Sequence, residues 1–268
     1  MAQDDRRLEL ARTFDEDPER YAARRPTYPE ALFDALAVYA GLGPGSRVLE
    51  IAPGTGQATA ALLERGYRVR AVELSRRMAD ALGRHLPAAE GLEVVVGAFE
   101  AQPAPEPPVD AVLCATAWHW LDPAVRIERA AAALRPGGAL AVVWTHHVEG
   151  GTTAFFRESQ PAYRDAFPET PFAFRLHRES ELPPSTAEQL ASPLLTDVED
   201  HRFSADIEYT TAEYLDLLRT YSETAALPPA RRARFLDALG HLLDTRFDGR
   251  VVKRYLFELV LCRTAPSR

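Results

Sequence analysis

Positive charge is the first thing this chain of 268 residues is short of: 31 lysines and arginines stand against 39 acidic residues, a formal net charge of −8. That balance argues against the clustered basic surface that phosphate backbones and anionic lipids attract, so neither nucleic acid nor a membrane surface is an expected partner. Lysine is almost missing. Lys253 is the single one, and beside so much alanine, arginine and proline it reads as the codon bias of a GC-rich genome, with no function attached. Cysteine occurs twice, as Cys114 and Cys262, each inside an apolar run, which excludes a disulfide scaffold and marks both as small core residues. The start, Met1-Ala-Gln-Asp-Asp-Arg-Arg7, has no apolar signal core, and no stretch reaches the roughly 18 apolar residues of a membrane helix. A cytoplasmic location is therefore expected. Internal repeats, low-complexity tracts and charge blocks are absent as well, and no metal-ligand spacing stands out.

What is present is ordinary globular material, 46% hydrophobic, enough for a sizeable core. Leu8 to Phe14 is amphipathic, Arg25-Pro-Thr-Tyr-Pro29 interrupts, and Glu30 to Ala40 has helical spacing. An alternation follows: strands at Arg47–Ile51, Arg68–Leu74, Leu92–Val96, Asp110–Ala115 and Gly138–Trp144, with helices at Ala58–Glu64, Ser75–Leu86 and Pro123–Leu134 between them. Strands alternating with helices imply right-handed crossovers and a doubly wound α/β sheet covered on both faces. After Trp144 helices dominate, at Ala154–Phe167, Ala187–Leu190, Thr211–Ser222 and Ala230–Arg246, with strands only at Arg202–Tyr209 and Val251–Cys262. The expected organisation is a helical lid over residues 1–45, an α/β core over 46–150, and helical cap insertions with closing strands over 151–268.

Chemistry concentrates at the ends of the first two strands. In Val48-Leu-Glu-Ile-Ala-Pro-Gly-Thr-Gly-Gln57, Gly54 and Gly56 let backbone approach a ligand at a helix N-terminus. Glu73 ends the second strand about 20 residues later, the spacing at which a carboxylate accepts both hydroxyls of a ribose. The same elements occur as plain turns with a solvated strand-end charge, and the pattern alone leaves both readings open.

Taken with three further landmarks, the sequence resembles the class I S-adenosylmethionine (SAM)-dependent methyltransferases. The landmarks are Val96-Gly-Ala-Phe-Glu100, Asp110 opening the fourth strand, and Leu134-Arg-Pro-Gly-Gly138 before the fifth. A narrower similarity, to the small-molecule branch that includes trans-aconitate methyltransferase-like enzymes, rests on Tyr21-Ala-Ala-Arg-Arg-Pro-Thr-Tyr-Pro29 and Trp118-His-Trp-Leu-Asp122. The resemblance implies a Rossmann-like seven-stranded sheet of order 3-2-1-4-5-7-6 with strand seven antiparallel. It implies SAM as cofactor, with Tyr21 and Arg25 at the methionine carboxylate, Glu50, Ala52, Gly54 and Gly56 around the glycine turn, Glu73 and Leu74 at the ribose, Ala98, Phe99 and Glu100 at the adenine, and backbone near Thr116 at the ammonium. Two positions depart from the usual pattern. Ala52 replaces the first glycine, where a negative φ is expected to suffice, and Ala98 stands where relatives often carry an acid.

The expected product is a methylated small molecule, with oxygen, nitrogen or carbon as nucleophile. All three tryptophans, Trp118, Trp120 and Trp144, fall just after strands four and five and suggest an aromatic wall for the acceptor, joined by His147 and Tyr221. His119 and His146 are the candidate general bases, His119 the preferred one. Two other functions remain open to sequence: a SAM-binding protein without methyl transfer, and a nicotinamide-dependent oxidoreductase. Against the latter, the third-glycine position counted from Gly54 holds Thr59.

Overall fold

A computed structural model describes residues 17–87, 89–169 and 175–265. The helix expected at Leu8–Phe14 lies outside the described residues. Seven strands form one sheet: β1 Arg47–Ile51, β2 Arg68–Glu73, β3 Leu92–Val96, β4 Val109–Ala115, β5 Leu134–His147, β6 Leu195–Thr210 and β7 Arg250–Thr264. Their order is β3-β2-β1-β4-β5-β7-β6, parallel from β3 to β5, with β7 antiparallel to both its neighbours. This is the Rossmann-like architecture expected. Cys114 and Cys262 are buried and unpaired on β4 and β7, which β5 separates.

Strand parity sorts side chains onto two faces, since successive residues point to opposite sides. On one face Val48, Ala111, Leu113, Ala139, Ala141, Val143, Phe257, Leu259 and Leu261 meet the helices Glu30–Ala40, Gln57–Glu64, Thr211–Arg219 and Pro229–Arg246. On the other, Leu49, Ile51, Val112, Cys114, Leu140, Val142 and Val260 meet Phe99, Trp118 and the helix Arg126–Ala133. Both layers are nearly continuous aliphatic runs, as a doubly covered parallel sheet requires.

The later helices differ in detail from the sequence reading. The stretch expected as one helix over Ala154–Phe167 is two, Thr153–Glu158 and Gln160–Ala166, because Pro161 cannot donate into the first helix and instead occupies the opening turn of the second. Thr211–Arg219 opens with a capping box: the Thr210 hydroxyl accepts from the Glu213 N–H while Glu213 accepts from the Thr210 N–H. β6 and β7 are longer than expected and face each other from Leu195↔Thr264 to Thr210↔Arg250, so the helices between them hang from one end of that ladder. The N-terminal helix Pro18–Arg24 rests on this insertion through Arg24–Glu213 (2.8 Å) and Arg20–Asp216 (3.2 Å). No helix among the described residues is long and apolar enough to cross a membrane, and among them no group of three or more His, Cys, Asp or Glu could hold a metal ion.

Candidate functional site

The carboxyl ends of β1, β2 and β4 lie side by side along one edge of the sheet. Ala52 leaves β1 with φ of 53°, in the left-handed region and not at the negative φ expected from sequence. The chain must turn there while the Ala52 N–H still donates to the Val72 carbonyl (2.9 Å), which fixes the peptide on both sides. Thr116 leaves β4 in the same conformation, φ 59°, its N–H held by the Val143 carbonyl (2.8 Å). Each such residue costs about 1–2 kcal/mol, and strain of this kind clusters where a site requires it.

The two glycines of the turn do different work. Gly54 has φ of 61°, and a side chain there would meet only Met78 and Tyr21 at 3.6 and 3.7 Å. Gly56 has φ of 101°, and a Cβ would lie 2.6 Å from Leu82 Cδ1. Gly56 is thus required by packing against the helix Arg76–His85, while a Cβ at Gly54 would make only ordinary contacts, so its positive φ alone calls for glycine. Glu73 is buried at the end of β2, where Oε2 accepts from the Gly54 N–H (3.0 Å) and Oε1 from the Ser75 N–H (2.9 Å). One carboxylate therefore ties the turn after β1 to the turn after β2. Leu74 is half-buried beside it, Ala98 leads into the short turn Phe99–Ala101, the Phe99 ring is buried, and Glu100 Oε1 accepts from the Asp122 N–H (2.9 Å), tethering the loop after β4.

Glu50 lies beneath the turn with 1% of its surface exposed, accepting from the Thr59 hydroxyl at 2.7 Å. Burial pushes its carboxyl up, the Thr59 hydrogen bond opposes this and the charge of Glu73 adds to it, giving about 7. A folded value above the unfolded 4.5 means that the native state holds the proton more tightly, so stability is full below 4.5 and declines as pH rises toward 7. The expected decline between pH 5 and 8 is on the order of 2–3 kcal/mol, and Glu50→Gln should flatten it. Urea midpoints of both proteins at the two pH values check this; parallel curves would remove Glu50 as the cause.

Next to the turn, on the face of Val143 and Phe257, a cavity of about 170 Å³ opens to solvent. Five of the residues expected at the site line it together: Tyr21, Arg25, Thr116, His147 and Tyr221. The Arg25 guanidinium sits over the rings of Tyr21 (4.9 Å) and Tyr221 (4.5 Å) and donates to the Thr220 hydroxyl (3.0 Å) and carbonyl (2.8 Å), which fastens the N-terminal segment to the insertion. The Thr116 hydroxyl links Tyr28 (3.0 Å) to Thr145 (2.8 Å). Burial and the charge of Lys253 push His147 down to about 2, so its imidazole is neutral, and its buried Nε2 has no hydrogen-bond partner among the described residues.

The tryptophans are not the wall. Trp118 is fully buried on the opposite face, its Nε1 donating to Glu188 (2.8 Å), with Arg126 forked onto the same carboxylate (2.8 and 2.7 Å). Trp120 and Trp144 pack against that same cluster. The physical reason is parity and packing: Trp144 alternates with the cavity-lining Thr145, and Trp118 and Trp120 pack in the cluster on the other face of the sheet. His146 shares the parity of Trp144, and its Nε2 lies 3.2 Å from the buried Glu258, which also accepts from the Ser185 N–H (2.7 Å) and hydroxyl (2.6 Å). His119 is exposed and stacks on Trp144 (5.9 Å between centroids). Neither preferred base therefore reaches the cavity. Tyrosines form the wall instead, Tyr21, Tyr28, Tyr221 and Tyr255, with Gln57, Thr145 and Lys253 among them. Of the residues missed, Tyr28 and Thr145 carried signals in the Tyr21–Pro29 motif and in strand alternation. Lys253 carried one in its rarity.

Residues 49–142 match the family model described as a methyltransferase domain. An uncharacterised methyltransferase of Mycobacterium tuberculosis is 41% identical over 138 residues, 52% of this chain and 54% of that protein. The chain spans about half the length of these curated relatives. In three dimensions it is similar to a protein of Anaeromyxobacter dehalogenans proposed to be a type II methyltransferase, with a TM-score of 0.60 at 22% identity over 91% of this chain and 99% of the other. It is similar also to the YcgJ protein of Bacillus subtilis, with a TM-score of 0.54 at 17% identity over 89% and 100%.

Proposed function

Since the chain carries a methyltransferase domain on the class I fold, we propose that it binds SAM along the ends of β1, β2 and β4 and transfers the methyl group to a small molecule in the adjoining cavity. The observation that carries this reading is the buried Glu73 carboxylate, bound to the Gly54 and Ser75 amides at the strand ends, with Tyr21 of the cavity wall packed beside Gly54. The residues present fit the cofactor. A carboxylate can accept a ribose hydroxyl as well as amides, Gly54 turns the chain at positive φ without a side chain, and the Ala52 and Thr116 peptides hold strained conformations on either side. When bound, SAM supplies a methyl group on a sulfonium, open to in-line displacement. Everything else falls to the chain's own groups. Glu73 and Leu74 would orient the ribose, Ala98, Phe99 and Glu100 border the adenine, and Tyr21, Arg25 and backbone at Thr116 hold the amino-acid end. Residues 17–45 and the insertion between β6 and β7 would act as lid and cap that exclude water.

The negative overall charge favours a small acceptor over nucleic acid, and a cavity of only about 170 Å³ restricts the acceptor to a compact molecule. Purified protein is expected to bind SAM and S-adenosylhomocysteine in calorimetry. Glu73→Ala should weaken both by about 1.5–3 kcal/mol, through loss of charge-assisted bonds to the ribose and loss of the anchor for Gly54. Unchanged affinity in that variant would take Glu73 out of the site. Methyl-labelled SAM followed into products of an acceptor panel then tests transfer itself.

A further inference from the structure

Lys253 lies in the cavity wall with only 7% of its surface exposed. It projects from β7 between two aromatic rings, 5.2 Å from the centroid of Tyr221 and 4.9 Å from that of Tyr255. Its Nζ donates to the Tyr221 hydroxyl at 2.9 Å, and no acidic side chain among the described residues pairs with it. An ammonium kept from water calls for an anion, and the group it touches that can become one is the Tyr221 phenol. Arg25 approaches the same ring from the opposite element, the N-terminal segment.

We propose that Tyr221, held by Lys253 and Arg25, is the general base of the cavity and that the acceptor is a phenolic or enolic hydroxyl compound. The assignment rests on the methyltransferase reading above. The acceptor O–H bond breaks and its proton passes to the Tyr221 phenolate oxygen. The freed electron pair forms the oxygen–methyl bond as the methyl–sulfur bond breaks, leaving a neutral thioether. Tyr221 then returns its proton to solvent through the open mouth of the cavity. A phenolate can take a proton of comparable acidity, which a phenol or enol offers and an aliphatic alcohol does not. Four tyrosine rings around the space also suit a flat acceptor. His147, the imidazole that does line this cavity, is too weakly basic for the task.

The electrostatics agree with the geometry. Burial alone would push Tyr221 up, but the charges of Lys253 and Arg25 and the hydrogen bond from Lys253 outweigh it and hold the phenol below the ordinary tyrosine range. The other titratable groups around it are Tyr255 on β7, Tyr209 on β6, and Tyr214 and Tyr163 on the neighbouring helices, and burial raises all four. Tyr221 should therefore ionise before these four.

Phenolate absorbance of the whole folded protein against pH tests this without an acceptor, alongside calorimetry with S-adenosylhomocysteine. One tyrosine should ionise below the ordinary value of about 10. That step should vanish in Tyr221→Phe, move upward by a pH unit or more in Lys253→Met, and return in Lys253→Arg. If all tyrosines of the unaltered protein ionise at or above about 10, or if the early step survives Tyr221→Phe, the proposal is overturned. These two results decide the matter even if a Lys253 variant fails to fold. An early Tyr221 in a protein that does not bind S-adenosylhomocysteine overturns the methyltransferase reading, and with it the role as base, while leaving the ionisation intact.

Discussion

Trp118→Ala is expected to destabilise the protein by about 3–5 kcal/mol, measured as a lowered urea midpoint, the cost of removing a large ring from a core that cannot fully collapse. The ring is completely buried between the sheet and the Ala187–Ala191 region, and its Nε1 is one of the donors that hold Glu188 in place. Arg126, which sits 5.1 Å from the Trp118 ring and donates to the Trp118 carbonyl (2.7 Å), loses a wall of its pocket as well. Affinity for S-adenosylhomocysteine in the folded fraction should change little. A variant with native stability and weakened binding would instead place Trp118 at the cofactor site.

Gly56→Ala should cost about 2–4 kcal/mol in the same measurement, from two sources that add. A φ of 101° is strained for any L-residue, and the new Cβ would fall 2.6 Å from a terminal carbon of Leu82. Leu82 is fully buried, so it yields only by repacking its neighbours. Gly54→Ala, two residues away, carries the backbone strain without the clash and should cost about 1 kcal/mol. Its larger effect should be on cofactor affinity, since its methyl group would project at the strand ends. If the two variants lose equal stability, the division of labour between these glycines is wrong.

Much of this fold could be read before any coordinates, because periodicity is a strong signal where strands are short, apolar and separated by helices. Glu30–Ala40 was legible to the residue, and β1 likewise. β7 was legible to within two residues at either end, whereas the first half of β6 was not, because Leu195–His201 is mostly polar and carries no apolar run. At the site, glycine turn and distal acid were legible as types and spacings. The geometry of Ala52 was not, since backbone strain imposed by two neighbouring strands leaves no trace in a single side chain. Placing His146 in the cavity failed for a simpler reason: it and His147 are adjacent, so a strand sends them to opposite faces. Alternation counted from the apolar Val143 would have selected Thr145 and His147. Rarity misled in the case of Lys253. A composition poor in lysine explains why few are found, but it does not explain why one remains in a wall of tyrosines.

The insertion that supplies Tyr221 begins after Thr210 and ends before Arg250, two residues that face each other across the ladder. Its two ends are thus already brought together by strand pairing, and the cost of closing the intervening chain grows only slowly with its length. Such a segment behaves as an exchangeable cassette. It can be lengthened, shortened or replaced without moving the register of β6 on β7 or the position of Lys253, which belongs to the frame. Lys253 then stays in place while the replaceable part, which carries Tyr221, sets what it faces across the cavity.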